Sequence, residues 1–119
     1  MQVIITKSFK KQLLKLGSIH IENLLDLLKK YPHTRNLVLL DTSNTGIILK
    51  GYLLSKKVRV LILLKQTKNT FVPVSLVRKE SQKGYNITKE NYQKIFLQDI
   101  AKVIEQIDKN DFERIEIET

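Results

Sequence analysis

The side chains in this chain that could do chemistry are mostly cations, and they recur beside stretches that read as strand ends. Lys50 lies inside one apolar run, Lys56, Lys57 and Arg59 open the next, and Arg78 and Lys79 close the one after it. Lys83 and Tyr85 follow in a polar stretch. Like charges held together repel one another, so an anionic ligand is a physical reason to keep such a cluster. An arginine fork meets two phosphate oxygens at once and stays charged at neutral pH, and a tyrosine ring offers a surface on which a nucleobase stacks. These residue types suit phosphate recognition and the stabilisation of charge on a phosphoryl group. Strand-end lysines also protect sheet edges, a reading that fits Lys56 and Lys57 better than Arg59, which sits one residue inside an apolar strand.

Other chemistries are excluded by what is missing. The chain has no cysteine, which removes disulfides, thiolate zinc sites and cysteine nucleophiles. Its two histidines, His20 and His33, read as a helix-surface residue and a solvated loop residue, and neither has the partners of a catalytic triad. No phosphate-binding glycine loop, dinucleotide fingerprint, zinc-protease helix motif or nucleophile elbow occurs. No spacing of carboxylates argues for a metal, and no cofactor is implied.

The elements that must position these cations can be read from periodicity. Gln2–Thr6 is a short β-rich run, after which Ser8 can cap a helix carrying Phe9, Leu13 and Leu16, with Gly17 as a left-handed stop. A second helix begins near Ser18, carries Ile21, Leu24, Leu25 and Leu28, and is closed by Pro32. From Asn36 the pattern turns extended. Leu37–Leu40, Ile47–Leu54, Val58–Lys65 and Thr70–Arg78 are predicted strands, separated by polar turns, with Pro73 indicating an edge or a bulge. Short turns predict an antiparallel meander. Thr88 then reads as the N-cap of one long helix with Tyr92, Ile95, Phe96, Ile100, Val103, Ile104 and Ile107 on its apolar face. Phe112–Glu118 reads as a last strand or a frayed tail. The expected class is α+β, with helices covering one face of an antiparallel sheet. In such a meander the start of one strand and the end of the next share an edge, which should gather Arg59, Arg78, Lys79 and Tyr85.

Charge supports a polyanionic partner. The 119 residues carry 21 Lys plus Arg against 12 Asp plus Glu, a net +9, at 42% hydrophobic content. Residues 1–90 hold 17 basic and 5 acidic side chains, whereas residues 91–119 hold 4 and 7. A one-signed field of this size attracts phosphate backbones. The length suits a single domain over 1–119. No apolar run reaches the ~20 residues of a membrane span, and the first residues lack the pattern of an export signal, so a cytoplasmic location is expected.

The run Ile4-Ile5-Thr6-Lys7-Ser8-Phe9-Lys10-Lys11-Gln12-Leu13-Leu14-Lys15-Leu16 resembles the first strand and helix of RelE/ParE-superfamily toxins. So does the later order of a strand carrying Lys50, a strand opening Val58-Arg59-Val60, and Val77-Arg78-Lys79-Glu80 before Tyr85. The resemblance covers about residues 2–96, as element order plus a loose residue pattern. It implies an N-terminal helix pair packed on an antiparallel sheet, with the C-terminal helix and acidic tail over about 88–119 as an extension. It also implies a type II toxin–antitoxin toxin, in the RelE branch a metal- and cofactor-independent endoribonuclease that cuts mRNA on the ribosome and inhibits translation. A cognate antitoxin would be its partner, in a toxin–antitoxin hetero-oligomer. Lys50 then matches a basic residue of the active-site sheet, Arg59 the arginine on the scissile phosphate, and Tyr85 the C-terminal tyrosine. Arg78-Lys79 matches a Lys-Arg pair in reversed order. Tyr52 stands where the RelE pattern has another lysine, and no histidine matches the catalytic one of some relatives.

The implied reaction is transesterification, with the ribose 2′-OH attacking the adjacent phosphorus. Arg59, Arg78, Lys79 and Tyr85 are its candidate catalytic residues; Lys50, Lys56, Lys57 and Lys83 are candidate RNA contacts. Glu80 is a candidate base by type, or an ion-pair partner of Arg78 or Lys79. Two other classes fit the same chain: a ParE-like inhibitor of DNA gyrase that is not an enzyme, and a basic RNA-binding module without catalysis.

Overall fold

Strand β1 (Gln2–Thr6) runs straight into helix α1 (Lys7–Leu16) with no connecting loop. Thr6 ends the strand with extended backbone, and its hydroxyl accepts the N–H of Phe9 at 3.3 Å, so Thr6 is the cap expected at Ser8. Ser8 instead donates its backbone N–H to Gln106 Oε1 at 2.8 Å. Gly17 ends α1 at φ 75°, its N–H returning to the Leu13 carbonyl. Helix α2 (Ile21–Lys29) begins three residues later than Ser18, after a turn in which the His20 N–H is held by Asn23 Oδ1 at 2.9 Å. The computed structural model describes residues 1–44, 46–81, 83 and 86–118.

Four strands follow: β2 (Leu37–Ser43), β3 (Gly46–Leu53), β4 (Val58–Lys65) and β5 (Thr70–Arg78). They form the antiparallel meander that the short turns predict. A 3-10 turn, Gln66–Lys68, joins β4 to β5. Helices α3 (Tyr92–Ile95) and α4 (Leu97–Asp108) and strand β6 (Phe112–Glu116) complete the order. The sheet runs β2-β3-β4-β5-β1-β6, and β1 lies parallel to β5. The sheet is therefore mixed, a correction to the antiparallel expectation. Short turns report only local pairing, whereas β1 reaches β5 across the intervening helices and meander. β6 pairs antiparallel with β1 from Thr6–Phe112 to Gln2–Glu116, so the C-terminal stretch is a strand and not a frayed tail.

Both faces of the sheet are covered, where one was expected. On one face Phe9, Leu13, Leu24, Leu27 and Leu28 of α1 and α2 bury Val3, Ile5, Leu49, Val60, Ile62 and Phe71. Gly51 lets α2 approach, because a Cβ there would lie 2.7 Å from a Val60 methyl and 3.1 Å from one of Leu27. On the other face Ile87, Tyr92, Phe96 and Val103 bury Ile4, Leu61, Val72 and Val74. Strand β4 packs into both layers, which is why it is apolar at consecutive positions. Pro73 sits at a bulge in an interior strand: Ile62 pairs with Pro73, Leu61 with Ser75, and Val74 is the extra residue. The single C-terminal helix expected from Thr88 is two, broken at Phe96, with Asn91 in place of Thr88 at its start. No Pro or Gly marks that break in the sequence. Among the described residues no helix is long and apolar enough to cross a membrane.

Two local features generate stability predictions. The Tyr92 hydroxyl donates to Asp41 Oδ2 at 2.7 Å, and Lys89 Nζ lies 3.9 Å from Asp41 Oδ1, which ties residues 89–92 to β2. The tyrosine hydroxyl, more than Lys89, holds the Asp41 carboxyl below its usual value, and burial pushes the Tyr92 phenol up. A lowered carboxylate pKa contributes stability above the unfolded value near ~3.9 that is lost as pH falls through the folded one. Tyr92→Phe should therefore lower the thermal midpoint by a few degrees at pH 7, and the gap to wild type should close below the folded Asp41 pKa. The second feature is the β3–β4 turn, where Leu54, Ser55 and Lys56 hold φ of 50°, 53° and 72°, and the Lys57 N–H returns to the Leu54 carbonyl at 3.0 Å. Left-handed backbone costs a non-glycine residue about 1–2 kcal/mol, least for asparagine. Ser55→Asn should raise the unfolding free energy by up to about 1 kcal/mol in urea titrations.

Candidate nucleic-acid interface

Alternation along β3 puts Lys50 and Tyr52 on the face opposite Gly51 and Leu53. Across the hairpin Tyr52 is paired directly with Arg59, so ring and guanidinium share that face. Arg59 Cζ lies 5.3 Å from the Tyr52 ring centre and Lys50 Nζ 5.6 Å from it. The left-handed turn brings Lys56 back over the same ring, with its Nζ 5.8 Å from the centre. Three cations thus surround one aromatic ring at the end of the sheet. Contacts of this kind contribute about 0.5–1 kcal/mol each when exposed.

Among the described residues no carboxylate pairs with these three cations. The ion pairs among the described residues are Lys10–Glu113, Lys89–Asp41 and Lys109–Glu105. Lys50 Nζ donates to the Ile87 carbonyl at 3.1 Å, which fixes its stem against the segment leading to α3. Arg59 Nε is buried and has no hydrogen-bond partner among the described residues. The arrangement can accept an anion between cations that are already positioned, next to a flat ring.

The expected residues divide between two places. Lys50, Lys56 and Arg59 meet around Tyr52. Lys57 and Lys79 stand at the same sheet end, where the Lys79 N–H reaches the Lys57 carbonyl at 2.8 Å and carries the ladder one step past β4 and β5. Arg78 does not join Arg59. It pairs with Val58, while Arg59 pairs with Val77, so the two arginines project from opposite faces of the sheet. The Arg78 guanidinium reaches the Leu16 carbonyl at the end of α1, with Nη2 to oxygen 3.4 Å. Lys83 stands near Arg78, lining a cavity beside α1. Glu80 is exposed and makes no ion pair with Arg78 or Lys79. Tyr85 lies outside the described residues.

Tyr52 is the residue that sequence reasoning passed over, having counted it only as a missing lysine. Alternation puts Lys50 and Tyr52 on one face of the strand, but a strand reaching Leu54 with a three-residue connection would set Tyr52 opposite Val60. Strand β3 ends at Leu53, and the connection of four residues shifts the register by one and sets Tyr52 opposite Arg59. No protein-family model, curated protein or solved structure matches the chain.

Proposed function

We propose that the protein is the toxin of a type II toxin–antitoxin system, which binds mRNA on the ribosome through the Lys50–Tyr52–Arg59 face and cleaves it. The observation that carries the RNA-binding part is the uncompensated set of three cations around the Tyr52 ring. In this reading the ring stacks a base and the cations hold the flanking phosphates. Arg59 meets the scissile phosphate and steadies the charge that develops on its oxygens. The 2′-hydroxyl gives its proton to water as its oxygen bonds to phosphorus, the 5′-oxygen leaves and takes a proton from water, and the products end in a 2′,3′-cyclic phosphate and a 5′-hydroxyl. Catalysis comes from in-line positioning and charge stabilisation, with much of the positioning supplied by the ribosome. The antitoxin partner supplies an acidic segment that covers and neutralises this face, in a hetero-oligomer.

A second reading, RNA binding without cleavage, is favoured by the position of Arg78 on the opposite face from Arg59. The two readings separate in one pair of assays. Arg59→Ala should weaken binding of a single-stranded RNA by about tenfold in fluorescence anisotropy and lower the salt dependence of log K by about 0.7. Lys56→Gly should weaken RNA binding while relieving left-handed strain, raising stability by about 1 kcal/mol, so that lost binding cannot come from lost folding. On translating ribosomes the wild type should generate 2′,3′-cyclic phosphate ends that Arg59→Ala does not. Binding without such ends would leave the non-catalytic reading, and gyrase inhibition with neither would overturn both.

A further inference from the structure

β1 and β5 are adjacent and parallel, yet they pair only at Gln2–Thr70 and Val3–Phe71. Beyond those residues the strands separate. β1 continues into α1, which packs on one face of the sheet, while β5 leads to α3 and α4 on the other. Two neighbouring parallel strands whose chains leave toward opposite faces open a crevice at their carboxyl ends, and α/β sheets place ligands there. The crevice is present, as two cavities of about 570 and 400 Å³ that share Gln12, Lys15 and Asp99 in their linings. The larger falls in the ~300–1,000 Å³ range of small-molecule sites.

The floor is built from polar groups held in place. Gln12 Oε1 accepts the Leu76 N–H at 2.7 Å and its amide nitrogen reaches the Val74 carbonyl at 3.4 Å, standing in for the strand that β5 lacks there. Ser75, 1% exposed, donates its hydroxyl to Asp99 Oδ2 at 2.7 Å. Leu16, Leu76 and Val77 supply an apolar strip in the larger cavity. The rim is cationic: Lys15, Arg78 and Lys83 border the larger cavity, and Lys11 and Lys102 the smaller. None of these forms an ion pair among the described residues, and Glu105, the other carboxylate of the crevice, is engaged by Lys109 at 2.7 Å.

We infer that this crevice binds a phosphorylated molecule of mononucleotide size. The phosphate lies between Lys15 and Arg78, the ring lies along Leu16, Leu76 and Val77, and Asp99 accepts a hydrogen bond from a hydroxyl or exocyclic amine. The inference does not rest on the toxin reading, because the crevice and the Tyr52 face lie on different elements.

The test is an amide-resolved NMR titration with AMP, ribose 5-phosphate, inorganic phosphate and a 5′-phosphorylated dinucleotide. AMP should bind one to one, shifting Gln12, Lys15, Leu76 and Asp99 amides. Lys15→Glu, an exposed change, should weaken AMP by about tenfold. Asp99→Asn, which keeps an oxygen for the Ser75 hydroxyl, should weaken AMP but not inorganic phosphate. A free nucleotide and a phosphorylated RNA end carry the same chemistry. Tighter binding of AMP than of the dinucleotide assigns the first, the reverse order assigns the second, and both uphold the site. Shifts confined to the Tyr52 face, inorganic phosphate binding as tightly as AMP, or unchanged affinity in both variants would overturn it.

Discussion

β1 is held between β5 and β6, parallel to one for two residues and antiparallel to the other for five, and the rest of the architecture depends on that placement. The pairing with β6 continues past the strand ends, where the Ile117 N–H meets the Met1 carbonyl at 2.9 Å and the Lys7 N–H meets the Asp111 carbonyl at 3.3 Å. Because β1 is interior, the helix that leaves it must pack on the sheet immediately, and the Thr6 cap makes the change from strand to helix in one residue. Because the pairing with β5 is short, β5 is left without a strand beyond Phe71, and the Gln12 side chain takes that place. The crevice is the space that this short pairing leaves.

Covering both faces decides where a polyanion can land. Residues 87–103 bury Leu61, Val72 and Val74, while Lys50, Tyr52 and Arg59 lie at the end of the same face, toward the β3–β4 turn. The acidic C-terminal stretch does not lie over these cations: β6 pairs with β1 at the opposite side of the sheet from β3. The acidic residues of β6 are therefore apart from the cations of the β3–β4 hairpin, while Glu113 pairs with Lys10 of α1 at 2.9 Å. Cations crowd the β3–β4 hairpin at a cost in mutual repulsion, and the strained Leu54–Lys56 backbone adds to that cost. Both costs fall on the hairpin that carries the proposed RNA contacts.

The parts of the fold legible in the sequence are those made by neighbours in the chain. The meander could be read because each strand is bounded by a polar turn, and Gly17 because a left-handed stop has a residue signature. The parallel pairing of β1 with β5 was hidden, since nothing local records which distant strand β1 joins. The break at Phe96 was hidden because its residue is apolar and fits either helix. In the site, the sheet end could be read but not the face: one position along β5 separates Val77, opposite Arg59, from Arg78, which points the other way. Tyr52 shares a face with Lys50 by alternation alone, but its pairing with Arg59 depends on Leu54 belonging to the turn and not to the strand, which nothing local in the sequence records.

Under the proposed function, the Lys50–Tyr52–Arg59 face holds RNA. An amide-resolved NMR titration of the full chain with a short single-stranded RNA tests it most directly. The largest shifts should fall on Lys50, Tyr52, Lys56 and Arg59 and fade as salt is raised. Shifts scattered over the surface lysines, or confined to other elements with these four unmoved, would contradict it.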